Sequence, residues 1–294
     1  MTPAERIKLF RRRAGLTQEQ AAGLKGCTAS GWRKWESGER QVTSLADWIE
    51  IARILRVRDI YRLTGLPVGH LPDEQPEHET VAPIRAALHA YAPRLDAEPD
   101  LDRLASAVRF AWDTWHGSGH RYSRTGPMLP GLITEVRATL AAVGVEQRRD
   151  AHRVAADGYR LVRAFARRTG AHELAAVAAD RATAAAEAAD DRECRASAAW
   201  NTAMVLSAGG HPEEAAALAM DAIVDLDRVD DQRPDRIALL GSLHLLLAVE
   251  VARLRRDRQA LDALDTAQRA AGVVGEHNAH RLVFGPTNVA IHAS

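Results

Sequence analysis

Cysteine is nearly missing from this chain. Of 294 residues only Cys27 and Cys194 carry a thiol, too few for a disulfide framework or a cysteine-built zinc site. Aromatic residues make up 5%, which argues against a large core assembled from big rings. No run of about 18 uncharged apolar residues occurs, so no helix is expected to cross a membrane. The opening stretch MTPAERIKLFRRR is charged throughout and has no apolar signal core, and the expected location is the cytoplasm. β-branched residues are sparse and no alternating pattern persists, so strands are not expected. The motifs of catalysis are missing too. There is no phosphate-cradling glycine loop, no Gly-x-Ser-x-Gly elbow and no His-Glu-x-x-His pair. The sequence predicts neither an enzyme nor a metal or cofactor site.

What is present is 46% hydrophobic residues, enough for a buried core, and a length that predicts roughly two domains at about 150 residues each. The 39 basic and 39 acidic side chains cancel overall but not locally. Residues 1–65 hold 13 Lys/Arg against 7 Asp/Glu, and residues 66–294 hold 26 against 32. All three lysines, Lys8, Lys25 and Lys34, lie in the first 34 residues. A short basic module followed by a longer, mildly acidic one predicts a polyanionic partner for the first alone.

The first module reads as short helices with clear stops. Residues 5–13 carry Ile7, Leu9 and Phe10 among basic side chains and end at Gly15. Thr17 followed by Gln20 is a capping-box arrangement, Gly26 closes that helix, and Thr28 can cap the next one, which runs through Trp32 and Trp35 to Ser37-Gly38. Ser44 opens a further helix with Leu45, Trp48, Ile49, Ala52 and Leu55 at helical spacing. The two central helices are separated by three or four residues around a glycine, which is helix-turn-helix spacing.

Residues 66–83 contain four prolines and a run of acids, and predict a linker between a domain at 1–65 and another at 84–294. His70 and His78 are expected to be solvated there. Beyond this the chain is predicted to be all-α, with helices at 84–92, 100–116, 129–142, 147–169, 171–189, 193–208, 212–228, 233–255, 258–271 and 278–292. Alanine is dense, 19 residues within 151–200. Small residues at helix contacts let neighbouring axes approach closely, as stacked helix pairs require. A degenerate repeat follows Ala166, Ala178, Ala182 and Ala185. It recurs at Ala203, Leu206, Gly210, Ala215, Ala219 and Ala222, and again at Ala248, Val251, Ala260, Leu264 and Ala267. The spacing is longer than an ideal tetratricopeptide unit. A plain alanine-rich bundle is the alternative.

Gly15-Leu16-Thr17-Gln18-Glu19-Gln20-Ala21-Ala22, followed by Trp32-Arg33-Lys34-Trp35-Glu36-Ser37-Gly38-Glu39-Arg40, closely resembles the Xre/Cro-repressor family of helix-turn-helix proteins. The resemblance covers roughly residues 4–65. It implies a four- or five-helix bundle that lays the second motif helix in the major groove of double-stranded DNA. The departures are Lys25 at a usually apolar position, Ala21 for the usual leucine, and Gly31 inside the recognition helix, with Leu24, Trp32 and Trp35 expected to fill the volume. Thr28, Ala29, Ser30 and Arg33 then lie on the outward, N-terminal part of that helix. Arg33 can pair bidentately with guanine, worth about 1–3 kcal/mol in discrimination. Ser30 can reach a base edge or a phosphate, and Gln18 can offer a phosphate its side-chain amide and helix-terminal N–H groups. Lys34, Arg40 and the Arg11–Arg13 run are expected to position the backbone. Trp32 and Trp35 are expected in the core. One such module reads one half-site, so a homodimer is expected.

The second module is similar to the tetratricopeptide-containing regulators of actinobacteria in two stretches. One runs from Trp112-Asp113-Thr114-Trp115 through His116-Gly117-Ser118-Gly119-His120-Arg121-Tyr122-Ser123, and the other is Phe284-Gly285-Pro286-Thr287-Asn288-Val289-Ala290. More loosely it resembles peptide-sensing regulators that join the same DNA module to a helical-repeat sensor. The expected architecture is thus a helix-turn-helix bundle followed by a tetratricopeptide-like α-solenoid. The expected function is a sequence-specific transcriptional regulator that senses a peptide or small-molecule effector or dimerises through its repeats. The alternative is a protein-interaction scaffold. In a solenoid the first helices of each pair line the concave face, which makes Trp200, Asn201, Met204, His244 and Leu247 the candidate effector contacts. Residues 116–131 read as a long glycine- and proline-rich loop that packs or touches ligand. His116, His120 and Tyr122 there lack the carboxylate or cysteine a metal site needs. Residues 284–292 read as the first helix of an unfinished pair with an apolar outer face, which predicts a chain continuing past Ser294 or a covering subunit.

Overall fold

The computed structural model describes residues 2–57, 60–65, 77–91, 98–228 and 231–293. The chain divides into two compact units, Met1–Pro76 and Glu77–Ser294. Among the described residues it is all-α; an isolated bridge between His277 and Phe284 is the one β-type pairing.

The first unit contains α1 (Pro3–Arg13), α2 (Gln18–Lys25), α3 (Ala29–Ser37), α4 (Leu45–Ile54) and the short α5 (Tyr61–Thr64). The starts of α1 to α4 are capped by hydroxyls. Thr2 and Glu5 form a reciprocal capping box on α1, and Thr17 and Gln20 form another on α2, with the Thr17 Oγ1 accepting the Gln20 N–H at 3.1 Å and Gln20 Oε1 accepting that of Thr17 at 2.8 Å. Thr28 caps α3 through the Gly31 N–H at 3.1 Å, and Ser44 caps α4 through that of Asp47. Gly26 and Gly38 end α2 and α3 at φ of +73° and +80°, backbone that a side chain disfavours. Ile7, Trp32, Ile51 and Leu63 are fully buried at the centre, each contributing about 1.5–3 kcal/mol by burial.

The second unit opens with α6 (Val81–His89) and α7 (Leu101–Gly117). These are followed by α8 (Arg121–Thr125), a 3₁₀ turn at Gly126–Met128, and α9 (Leu129–Ala142). Then come consecutive packed pairs: α10 (Arg148–Arg168) with α11 (His172–Ala188), α12 (Arg192–Ala208) with α13 (Pro212–Asp227), and α14 (Pro234–Arg253) with α15 (Asp257–Val274). The chain finishes in α16 (Pro286–Ala293). α11 packs on α12 and α13 on α14, so the pairs stack, while α10, α12 and α14 also touch one another as a row of first helices. The repeat alanines do the close-packing. Ala166, Ala178, Ala182, Ala203, Ala215, Ala219 and Ala267 are essentially inaccessible.

Four expectations are corrected. The boundary at 84 falls inside a helix, because α6 starts at Val81 with Val81, Ile84 and Leu88 facing the core; residues 66–76 of the expected linker lie outside the described residues. His78 is half-buried rather than solvated: its Nδ1 lies 2.8 Å from Thr80 Oγ1 and its ring meets Phe165 edge-on at 5.4 Å. His70 lies outside the described residues. The stretch 116–131 is mostly helical rather than a long loop. Its Gly126 sits where a Cβ would come within 2.8 Å of Thr80 Oγ1 and 2.9 Å of the Phe165 ring, so that glycine serves close packing. Residues 278–292 are not one helix. His277 and Phe284 exchange backbone hydrogen bonds of 2.7 and 2.8 Å, closing a tight loop before α16. Within this segment Phe284 and Val289 are buried, which removes them from the apolar outer face expected of an unfinished pair.

Candidate nucleic-acid interface and ligand cavity

The helix-turn-helix is braced from within by one carboxylate. Glu36, on the inner face of α3, accepts from Arg11 Nε at 2.5 Å, Arg11 Nη2 at 3.1 Å, Gln18 Nε2 at 2.8 Å and Trp32 Nε1 at 2.8 Å. Arg11 also donates to the Leu16 carbonyl at 2.6 Å. This ties α1, the α2 start and α3 together. Burial pushes the Glu36 carboxyl up, but the donors Arg11, Gln18 and Trp32 outweigh it and hold it below its ordinary range.

The hub engages two of the side chains expected to contact DNA. Arg11 is buried, so only Arg12 and Arg13 of the basic run remain exposed. The Gln18 side-chain amide donates to Glu36. Leu24 is also corrected: it is 61% exposed and fills no interior volume. Lys25 reaches across to α4 instead, with Asp47 at 2.9 Å and Glu50 at 2.6 Å; these two hydrogen bonds raise its pKa. The hub was missed in the sequence although a signal existed. Glu36 lies one helical turn from Trp32, on the face read as core.

The outer face of α3 matches the expected pattern. Thr28, Ser30, Arg33 and Lys34 are exposed and Ala29 partly so, while Trp32 and Trp35 are buried and packed edge-to-face with centroids 5.9 Å apart. Lys34 pairs with Glu39 at 3.1 Å, and the Arg40 guanidinium sits 5.7 Å from the Trp35 ring centre. Arg33 has no acidic partner among the described residues. What the face offers is a row of hydroxyls and an unpaired guanidinium, rigidly backed by two tryptophans.

The helical unit contains a cavity of about 730 Å³. Its walls come from the first helices of the three pairs, from α7, from Arg121 at the start of α8 and from the segment at 280–292. Of the expected effector contacts, Trp200, Asn201 and Met204 line it, and His244 and Leu247 do not. Leu247 is buried in the core, and His244 is half-buried with its pKa lowered by burial. Both sit on α14, whose cavity-facing residues are Ser242, Leu245, Leu246, Val249 and Glu250. His116 also reaches the cavity, stacked on Trp112 at 5.3 Å, and burial and then the charges of Arg281 and Arg121 lower its pKa. Tyr122 instead belongs to an aromatic cluster with Trp115 and Phe165. No grouping of three metal-ligating side chains occurs among the described residues, and no helix among them is long and apolar enough to cross a membrane.

Residues 4–62 match the family model of a helix-turn-helix domain. No curated protein matches the chain. Among solved structures it is similar to the crystal structure of Bacillus thuringiensis PlcR in complex with the peptide PapR7 and DNA, at 15% identity and a TM-score of 0.41, over 93% of this chain and 95% of that one.

Proposed function

We propose that this protein is a DNA-binding transcriptional regulator whose helical unit senses an effector, and that it acts in the cytoplasm as a homodimer without catalysing a reaction. The match of residues 4–62 to a helix-turn-helix domain carries the reading. The exposure of Thr28, Ser30 and Arg33 at α3, and of Lys34 and Arg40 nearby, supports it, the first three suiting base edges and the last two phosphates. The domain boundaries follow the compact units, a DNA-reading module up to residue 76 and a helical-repeat module from residue 77. A concavity of about 730 Å³ lined by both polar and apolar side chains favours effector sensing over a scaffold role. An effector changes DNA affinity only by binding one arrangement of the protein more tightly than another.

A gel shift of the full chain against the DNA upstream of its own gene, at stated salt, tests the reading. The expected result is a complex on one sequence with paired half-sites, competed poorly by unrelated DNA and weakened steeply as salt rises. Equal affinity for unrelated DNA, or a monomer on a single site, would overturn it.

A further inference from the structure

The cavity of the helical unit is unbalanced in charge. Arg121, Arg160, Arg163, Arg167, Arg168 and Arg281 face it, against Glu250 as the single carboxylate in its wall. Glu250 is already engaged, accepting from Ser207 Oγ at 2.6 Å and Arg253 Nη1 at 3.0 Å. Arg160 pairs with Asp157 at 2.6 Å and Arg281 with Asp113 at 3.2 Å. Arg121, Arg163, Arg167 and Arg168 have no carboxylate partner among the described residues.

Arg163 is the sharpest case. It is 5% exposed, its Nη2 donates to Asn201 Oδ1, its Nε has no partner, and its guanidinium lies 5.6 Å from the Trp200 ring centre. Burial first, and then the charges of Arg167, Arg160 and Arg168, push its pKa down to about 9. Arg160, Arg163 and Arg167 follow one face of α10, where like charges repel. A buried cation among cations is costly unless an anion answers it. The wall segment whose His280 carbonyl accepts from Arg160 Nη1 at 3.3 Å is held in unusual backbone: His280, Arg281 and Val283 have φ of +51°, +62° and +52°. Such strain gathers at ligand clamps, and for a β-branched valine it is a genuine outlier.

We propose that this cavity binds a small organic anion, a carboxylate or phosphate on an aromatic or apolar body, with the acidic group paired to Arg163 and Arg167 and the body against Trp200. A volume of about 730 Å³ suits a molecule of drug-like size. A guanidinium fork matches either acid bidentately. That this anion is the effector rests on the regulator reading above; the binding itself does not.

The test is calorimetric titration of the full chain with 1-naphthyl phosphate, 1-naphthoate and uncharged 1-naphthol at matched ionic strength. At least one anion should bind tenfold or more tightly than naphthol, and the tighter of the two identifies the acid. Arg163→Met should weaken the anion at least tenfold, leave naphthol unchanged, and melt no lower than the wild type without ligand, because it removes an uncompensated charge. Arg167→Met, at a partly exposed position, should weaken the anion severalfold. Equal binding of anions and naphthol would overturn the proposal. So would unchanged anion affinity in both variants. So would an Arg163→Met protein that melts far lower while Arg167→Met binds normally, since Arg163 would then be a structural strut. No DNA is present in the titration, so its failure leaves the DNA-binding reading standing, and a failed gel shift leaves the anion site standing.

Discussion

Arg11 in the helix-turn-helix bundle and Arg163 in the helical repeats are 9% and 5% exposed, and their surroundings treat them in opposite ways. Arg11 meets Glu36 with two hydrogen bonds and gives a third to a carbonyl, so its charge is answered within the bundle. Arg163 meets an amide oxygen and an indole face and feels the charges of three other arginines. A buried cation with its own carboxylate is part of the frame. One without a carboxylate is costly unless an anion answers it. The same contrast runs through the two cores. The bundle closes two large tryptophans around a polar hub, whereas the repeats bring alanines such as Ala178, Ala182, Ala203 and Ala219 together at their helix contacts.

The most damaging change should be at the answered arginine. Glu36→Leu leaves the Arg11 charge and the Gln18 and Trp32 donors without an acceptor, and should cost the bundle about 3–5 kcal/mol in urea unfolding followed by tryptophan fluorescence. Adding Arg11→Met should recover most of that loss, since removing both partners is far milder than removing one. A loss below about 1 kcal/mol for Glu36→Leu would break the comparison. Acid should act in the same direction. The Glu36 carboxyl is held low by its donors, so its contribution is full above the unfolded carboxyl value of about 4.3 and fades as pH falls through the lower folded value. The Glu36→Leu protein should lack that part of the acid slope.

A smaller effect should test the repeats' side of the contrast. A Cβ on Gly241 would overlap the Phe284 ring and come within 2.9 Å of Ala270 Cβ. Gly241→Ala should therefore cost about 1–3 kcal/mol through overpacking, read as a lower melting temperature of the helical unit. An unchanged melt would mean that the contact between α14 and the chain end is loose enough to give way.

The sequence carried the parts of the fold that local pattern controls. Helix starts at Thr17, Thr28 and Ser44 were legible because a hydroxyl followed by a helical apolar pattern has one good solution. The repeat alanines were legible because their spacing encodes a helix seam. The segment at 278–292 was not, since a strained loop held by His277 and Phe284 leaves no periodic signature. The site divided in the same way. The outward row Thr28, Ser30 and Arg33 follows from helix geometry once Trp32 and Trp35 are placed inside. Whether Arg11 or Gln18 faces DNA or Glu36 depends on contacts between α1, α2 and α3, which no single helix reveals. The place of Trp200, Asn201 and Met204 on the cavity wall followed from pair stacking, but the α14 contribution needed the actual rotation of that helix, and His244 and Leu247 do not line the cavity.

The mildest changes lie on the outer face of α3, where the distinction between answered and unanswered charge can be read against DNA. Arg33 has no acidic partner among the described residues, whereas Lys34 lies 3.1 Å from Glu39 with both side chains largely exposed. An exposed pair of this kind contributes about 0–1 kcal/mol to the fold, so neither substitution should alter stability measurably. Their effects on binding should differ in kind. Arg33→Ala should lose about 1–3 kcal/mol on the preferred sequence at one base pair and little elsewhere, flattening specificity there. Lys34 must first leave Glu39 to reach a phosphate, so Lys34→Ala should weaken all sequences alike, by less, and reduce the salt slope by about 1. Competition gel shifts over a panel of single-base variants at two salt concentrations measure both quantities. Uniform and equal losses for the two variants would show that Arg33 is a second phosphate contact, and the base-reading role would pass to Ser30 and Thr28.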